Sequence, residues 1–63
     1  MIVNFDGKFF NFDEALTVKE IFKRLGLNKE IYLVVLEDGN LATPDRVVGK
    51  NETVKIIRVV SGG

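Results

Sequence analysis

One stretch of this sequence has residue types that could do chemistry: Ser61-Gly62-Gly63, its last three residues. Glycine lacks a Cβ, so a Gly62-Gly63 ending takes backbone angles closed to other residues and offers the smallest cross-section a chain can have. Such an ending can thread a narrow channel in another protein and present the Gly63 α-carboxylate to reaction there. A bulky last residue would crowd the carbonyl carbon against an activating or attacking group. The cost is entropic, because a flexible tail is ordered on binding and the folded body must supply offsetting docking energy. Gly63 then reads as the reacting group, Gly62 as its narrow approach and Ser61 as a small, soluble spacer. A frayed terminus gives the same ending, so the preceding chain has to decide between them.

The remaining residues restrict the chemistry. The sequence has no cysteine and no histidine, which removes thiolate metal sites, disulfides and the usual general base near neutral pH. Without histidine, Ser61 has no partner to make it a nucleophile. There is no phosphate-cradling glycine loop of the Walker kind. Asp38, Asp45 and Glu52 are too scattered for a paired-carboxylate mechanism, and Asp13 and Glu14 read as capping or surface charge ahead of a helix. Nine basic residues balance nine acidic ones, an arrangement that argues against nucleic acid as a partner. No metal or bound cofactor is expected. The apolar run Ile31 to Leu36 is too short to cross a bilayer, and Asn4, Asp6 and Lys8 stand where a signal peptide would be apolar. The expectation is a soluble cytoplasmic protein.

A body must hold the tail, and 63 residues make one small domain that buries only about 60% of its unfolded surface. Met1 to Phe5 and Lys8 to Phe12 flank Asp6-Gly7, the pair that a type I′ hairpin turn requires. That turn sets Phe5 against Lys8, Val3 against Phe10 and Met1 against Phe12. Side chains alternate, so Met1, Val3, Phe5, Phe10 and Phe12 share a core face, while Ile2, Asn4, Phe9 and Asn11 share the other. Thr17-Val18-Lys19-Glu20 has the form of a capping box. Val18, Ile21, Phe22 and Leu25 follow as one helical stripe, and Gly26 sits where a left-handed residue ends the helix. The spacing predicts a helix over 18–25. Ile31 to Glu37 reads as a strand closed by Asp38-Gly39, with Leu41-Ala42 a short return before Thr43-Pro44. Pro44 to Asn51 reads as a connection containing a local apolar pair, Val47-Val48. Val54 to Val60 is the last strand.

In that strand Val54 and Ile56 share one face with Arg58 and Val60; Lys55, Ile57 and Val59 share the other. If Val54 and Ile56 meet the helix, then Ile57 and Val59 stand on the outer face, with Ile2 and Phe9 from the first hairpin. An apolar patch on so small a domain suggests docking, and Phe9, Ile57 and Val59 are the candidate partner-binding residues. Ordinary packing is the alternative. Arg58 reads as a solvated strand residue, with guidance of the tail as the other option.

The order strand, strand, helix, strand, short strand, strand is that of an α+β domain with a mixed sheet of four to five strands on one helix, the β-grasp pattern. The domain is expected over 1–60, with 61–63 a flexible tail. With the Gly62-Gly63 ending, the chain resembles the ubiquitin-like sulfur carriers of the ThiS and MoaD family, most closely a short ThiS-type member. The likeness is carried by Thr17-Val18-Lys19-Glu20 and by Leu41 to Gly63, including Pro44, Val47, Val54, Ile56 and Ile57. The resemblance implies that a separate activating enzyme of the E1-like (ThiF/MoeB) type uses ATP and Mg²⁺ to adenylate the Gly63 carboxylate. A sulfur donor then converts the acyl-adenylate to a thiocarboxylate, and a synthase accepts the sulfur for thiamine thiazole, molybdopterin or tRNA thiolation. On this reading the chain is a substrate and carrier, not an enzyme. Two alternatives stay open: a ubiquitin-like modifier joined through Gly63 to lysines, and a β-grasp interaction module with no terminal chemistry.

Overall fold

The computed structural model describes residues 1–59. The chain runs β1 (Ile2–Phe5), β2 (Lys8–Asn11), β3 (Leu16–Thr17), α1 (Val18–Leu25), β4 (Tyr32–Val35), β5 (Leu41–Ala42), β6 (Val47–Val48) and β7 (Thr53–Arg58). Five strands form one mixed sheet in the order β2-β1-β7-β4-β5, and β3 pairs with β6 in a separate two-stranded sheet. With α1 packed on one face, this is a β-grasp fold.

The first hairpin forms as its turn dictates. Asp6 and Gly7 both have positive φ, at 53° and 73°, the condition for a type I′ turn. The register pairs Phe5 with Lys8 and Val3 with Phe10, and Met1 and Phe12 exchange hydrogen bonds in both directions. Met1 and Val3 are buried, with Phe5, Phe10 and Phe12 packed against the core they enter.

The helix covers the predicted residues. The Thr17 Oγ1 accepts from the Glu20 N–H at 3.1 Å and the Glu20 carboxylate accepts from the Thr17 N–H at 2.9 Å. Gly26, at φ 68°, ends the helix while Leu27 N–H donates to Phe22 O at 2.9 Å, the Schellman arrangement. Two further N–H groups at the helix start find carbonyls from a distant segment: Val18 donates to Arg46 O at 3.1 Å and Lys19 to Pro44 O at 2.9 Å. An unpaired helix end is costly, so these bonds fasten the 44–46 segment to the helix.

Here the structure departs from the connection expected over Pro44 to Asn51. Val47-Val48 is strand β6, paired antiparallel with Leu16-Thr17, and Val48 and Leu16 are both fully packed core residues. Two-residue strands carry no alternation that a sequence reading can detect. The strand expected over Ile31 to Glu37 is also shorter, Tyr32–Val35. Its turn spans three residues rather than two: Gly39 N–H donates to Leu36 O, Leu36 N–H donates to Asn40 O, and Gly39 alone has positive φ. The Asp38 carboxylate accepts from the Asn40 N–H at 2.9 Å, an Asx turn that replaces the tighter one.

The turn into β7 is built around Glu52. Its carboxylate accepts from the Gly49 N–H at 2.6 Å and from Arg46 Nη1 at 3.0 Å. The Gly49 bond, then the Arg46 contacts, hold this carboxyl below its ordinary value of 4.5 against the opposing effect of partial burial. Glu20 is lowered first by the Thr17 backbone bond, and Asp38 first by the Asn40 backbone bond.

Leu16→Ala should cost about 2–5 kcal/mol in urea unfolding, whereas Val47→Ala, on the exposed side of the same strand pair, should stay within about 0.5 kcal/mol. Equal effects would contradict the packing of β3 against β6. For Glu52 the folded pKa is depressed, so its contribution is complete above 4.5 and is lost as pH falls through the folded value. Glu52→Gln should therefore flatten part of the acid-side fall in unfolding midpoint, to which Glu20 and Asp38 contribute in the same direction. An unchanged slope would remove Glu52 from this role.

Candidate functional site

Three of the sequence candidates, Ser61, Gly62 and Gly63, lie outside the described residues, as does Val60. The structure does describe the strand that precedes them. β7 is the central strand of the sheet, parallel to β1 and antiparallel to β4. The ladder continues one residue past it, where the Val59 N–H donates to Ile31 O at 2.6 Å. β7 is thus bonded on both sides, and residues 60–63 follow it in sequence. It comes out beside the Asp6-Gly7 turn, because the parallel register sets Phe5 level with Ile56.

Alternation along β7 divides its side chains as expected. Val54 and Ile56 are buried against the helix side. Ile57 and Val59 are 37% and 40% exposed on the outer face, and Phe9 is 72% exposed. The register brings in residues that were not candidates. Leu33 lies directly opposite Ile57, Val35 opposite Lys55, and Leu41 opposite Val35. All three therefore share the outer face with Ile57, and Leu41 is 58% exposed. Ile57, Leu33, Val35 and Leu41 form a continuous apolar strip, with Val59 at the end where β7 finishes. The signal was present in the unbroken run Tyr32-Leu33-Val34-Val35-Leu36: a strand without alternation has apolar residues on both faces.

Phe9 is not part of this strip by direct pairing. Across the sheet it faces Asn4, which faces Lys55, which faces Val35. A shallow concavity of about 230 Å³ nonetheless has Phe9 on one rim and Val35 and Leu36 on the other, floored by Asn4, Thr53 and Lys55. The outer face thus has a polar middle with Lys55 as its cation. Apolar contacts flank it on both sides.

On the opposite face Arg58 is exposed and directly across from Tyr32. Tyr32 packs edge-on to Phe5 with ring centroids 5.3 Å apart. Phe5, Asp6, Tyr32, Ile56 and Arg58 line a second open hollow of about 250 Å³ beside the end of β7. The acidic residues are spread through separate local contacts. Glu14 pairs with Arg24 at 3.1 Å, Asp38 with Asn40 and Glu52 with Arg46. No group of three or more potential metal ligands occurs among the described residues. No helix among them is long and apolar enough to cross a membrane.

The whole chain is similar in structure to the crystal structure of a thiamine biosynthesis protein (ThiS) from Geobacter metallireducens. The match covers 100% of both chains with a TM-score of 0.68 and 24% sequence identity. At that identity the likeness is one of fold. No protein-family model matches the sequence, and no curated protein matches it.

The two faces of β7 should respond oppositely to a charge. Ile57→Asp should keep a cooperative unfolding transition and lose about 1 kcal/mol, the span of strand preference. Ile56→Asp places a carboxylate in the core and should abolish the folded state, seen as loss of amide dispersion in NMR spectra. Unfolding by Ile57→Asp would reassign that residue to the core.

Proposed function

We propose that this chain is a sulfur carrier whose Gly63 carboxylate is adenylated by a separate ATP- and Mg²⁺-dependent enzyme and converted to a thiocarboxylate. The observation that supports this most is the combination of fold and ending. A β-grasp domain matched over both full chains by a thiamine biosynthesis protein has its central strand followed in sequence by Ser61-Gly62-Gly63.

The leaving group dictates the chemistry. A carboxylate oxygen departs poorly, so attack of a sulfur nucleophile on Gly63 needs prior activation. In adenylation the carboxylate oxygen attacks the α-phosphorus of ATP and pyrophosphate leaves. Sulfide released by the donor then adds to the acyl carbon and AMP departs with the original carboxylate oxygen, leaving sulfur in its place. The chain itself contributes the carboxylate, its narrow Gly62 approach and the docking surface; the catalytic groups and ATP belong to the partner. Thiamine thiazole formation is favoured as the acceptor branch over molybdopterin or tRNA thiolation, because the Geobacter protein is one of thiamine biosynthesis.

Docking falls to the outer sheet face. Phe9, Ile57 and Val59 are the residues proposed to meet the activating enzyme, extended by Leu33, Val35 and Leu41 through the cross-strand register. Interface cores are depleted in charge and enriched in apolar and aromatic groups, which describes the strip of Ile57, Leu33, Val35 and Leu41, with Asn4, Lys55 and Glu37 as its polar neighbours.

Intact mass of the protein isolated from cells under non-reducing conditions should show a species heavier by the exchange of one oxygen for sulfur, absent after deletion of Gly62-Gly63. A ladder of larger conjugates without that species would instead establish a protein modifier, and retained activity after the deletion would establish an interaction module. Ile57→Asp should reduce adenylation of Gly63 about fivefold or more through KM, by loss of an interface contact worth more than about 1 kcal/mol. Normal adenylation of that variant would remove the outer face from docking.

A further inference from the structure

The five-stranded sheet has two edges, and they are not alike. β5 is two residues long and is followed by Thr43-Pro44, a short edge stopped by proline of the kind that discourages pairing. β2 is four residues long, has no proline and no bulge in its register with β1, and carries one lysine at its start.

The direction of its free backbone groups can be derived. Met1 and Phe12 exchange both hydrogen bonds, so they are a narrow pair of the antiparallel ladder. Narrow pairs recur every second residue, which makes Val3 with Phe10 and Phe5 with Lys8 the next ones. The other β1 residues turn toward β7, as the Ile2 N–H does in donating to Glu52 O at 3.0 Å. The N–H and C=O of Phe9 and Asn11 therefore point away from the sheet along its open edge. Phe9 is 72% exposed beside them.

We infer that this edge pairs with the β2 edge of a second copy of the chain, antiparallel and about a two-fold axis at Phe10. In this register the outward groups of Phe9 meet those of Asn11 of the second copy and the reverse, so all of them are satisfied. The alternative centred on Phe9 sets Asn11 against Gly7 in the turn, and the one centred on Asn11 sets Phe9 against Asp13, where the chain has already bent away. The chosen register puts the two Phe10 rings at a closely spaced cross-strand position, where aromatic pairs are favourable.

Charge selects a second copy as the occupant. The segment is Lys8-Phe9-Phe10-Asn11-Phe12-Asp13-Glu14, a cation at one end, anions at the other and aromatics between. An antiparallel pair sets each cationic end beside the other copy's anionic end. Lys8 falls level with Phe12 of the second copy, at the end where that copy's Asp13 and Glu14 follow in sequence. Within its own chain Glu14 pairs with Arg24. The formal net charge is zero, so no overall repulsion opposes the approach. Only one strand per copy is covered, well under the area of a stable dimer, which makes the association weak and reversible. The outer strip around Ile57 and the end of β7 stay uncovered, and the inference does not depend on the reading of the tail.

Amide NMR spectra and sedimentation velocity of the full chain between roughly 0.05 and 1 mM test it, the range where so small a contact associates. Phe9 and Asn11 amides should shift with concentration as the sedimentation coefficient rises toward that of a dimer. Asn11→Pro removes an outward N–H and no internal ladder bond, and should abolish the rise while the spectrum stays dispersed. Lys8→Glu should weaken association roughly threefold or more, and Lys8→Glu with Glu14→Lys should restore it. Absence of any concentration dependence would overturn the inference. So would shifts confined to Leu33, Val35, Leu41 and Ile57, or an undiminished rise in both single variants.

Discussion

The parallel pairing of β1 with β7 is the constraint on which the rest of this structure depends. It joins the two ends of the sequence, with Ile2 beside Thr53 and Phe5 beside Ile56, and it is reinforced where the Met1 amino group donates to Lys50 O. Such long-range pairing carries a loop-closure cost before it returns any burial. Once made, it aligns Val3 with Val54 and Phe5 with Ile56 on the face that α1 covers. It also fixes the direction in which β7 leaves the sheet. A β7 slipped by one residue would turn Ile57 inward and Ile56 outward, exchanging the core residue for the surface one.

The small β3–β6 sheet and the helix start act together as the second fastening. Leu16 and Val48 close the core at the end that the main sheet leaves open, and the Arg46 and Pro44 carbonyls satisfy the first helical N–H groups. Glu52 then ties Gly49 and Arg46 at the entry to β7. The segment between β5 and β7 thus serves the helix, the core and the central strand at once. A domain of this size has little buried surface to spare, and such multiple use helps a chain with no cysteine fold without a disulfide.

Much of this was readable in the residues because local rules and the global fold agree at those points. Asp6-Gly7 forces one turn, which forces one register. Thr17 and Glu20 start the helix and Gly26 ends it. Alternation in β7 separates Ile56 from Ile57. Other features were hidden for physical reasons. Leu16 and Val48 are in strands too short to show a period, and their pairing spans more than thirty residues of sequence. The loop at Asp38-Gly39 is set by an Asx contact of Asp38 that competes with the tighter turn. Leu33, Val35 and Leu41 joined the outer face only when the β4–β7 register was known, since an unbroken apolar run does not say which residues face out. Ser61, Gly62 and Gly63 were candidates from residue type alone and lie outside the described residues, so their role belongs to the proposed function.

In the proposed function Gly63 reacts through its free carboxylate while the β-grasp body only presents it. ATP–pyrophosphate exchange by the cognate activating enzyme isolates that step from all later sulfur chemistry. Exchange should proceed with the native chain and vanish when the Gly63 carboxylate is replaced by the amide, with an unchanged NMR spectrum for the body. Undiminished exchange with the amidated chain would place the reacting group elsewhere and contradict a carrier charged at its terminal carboxylate.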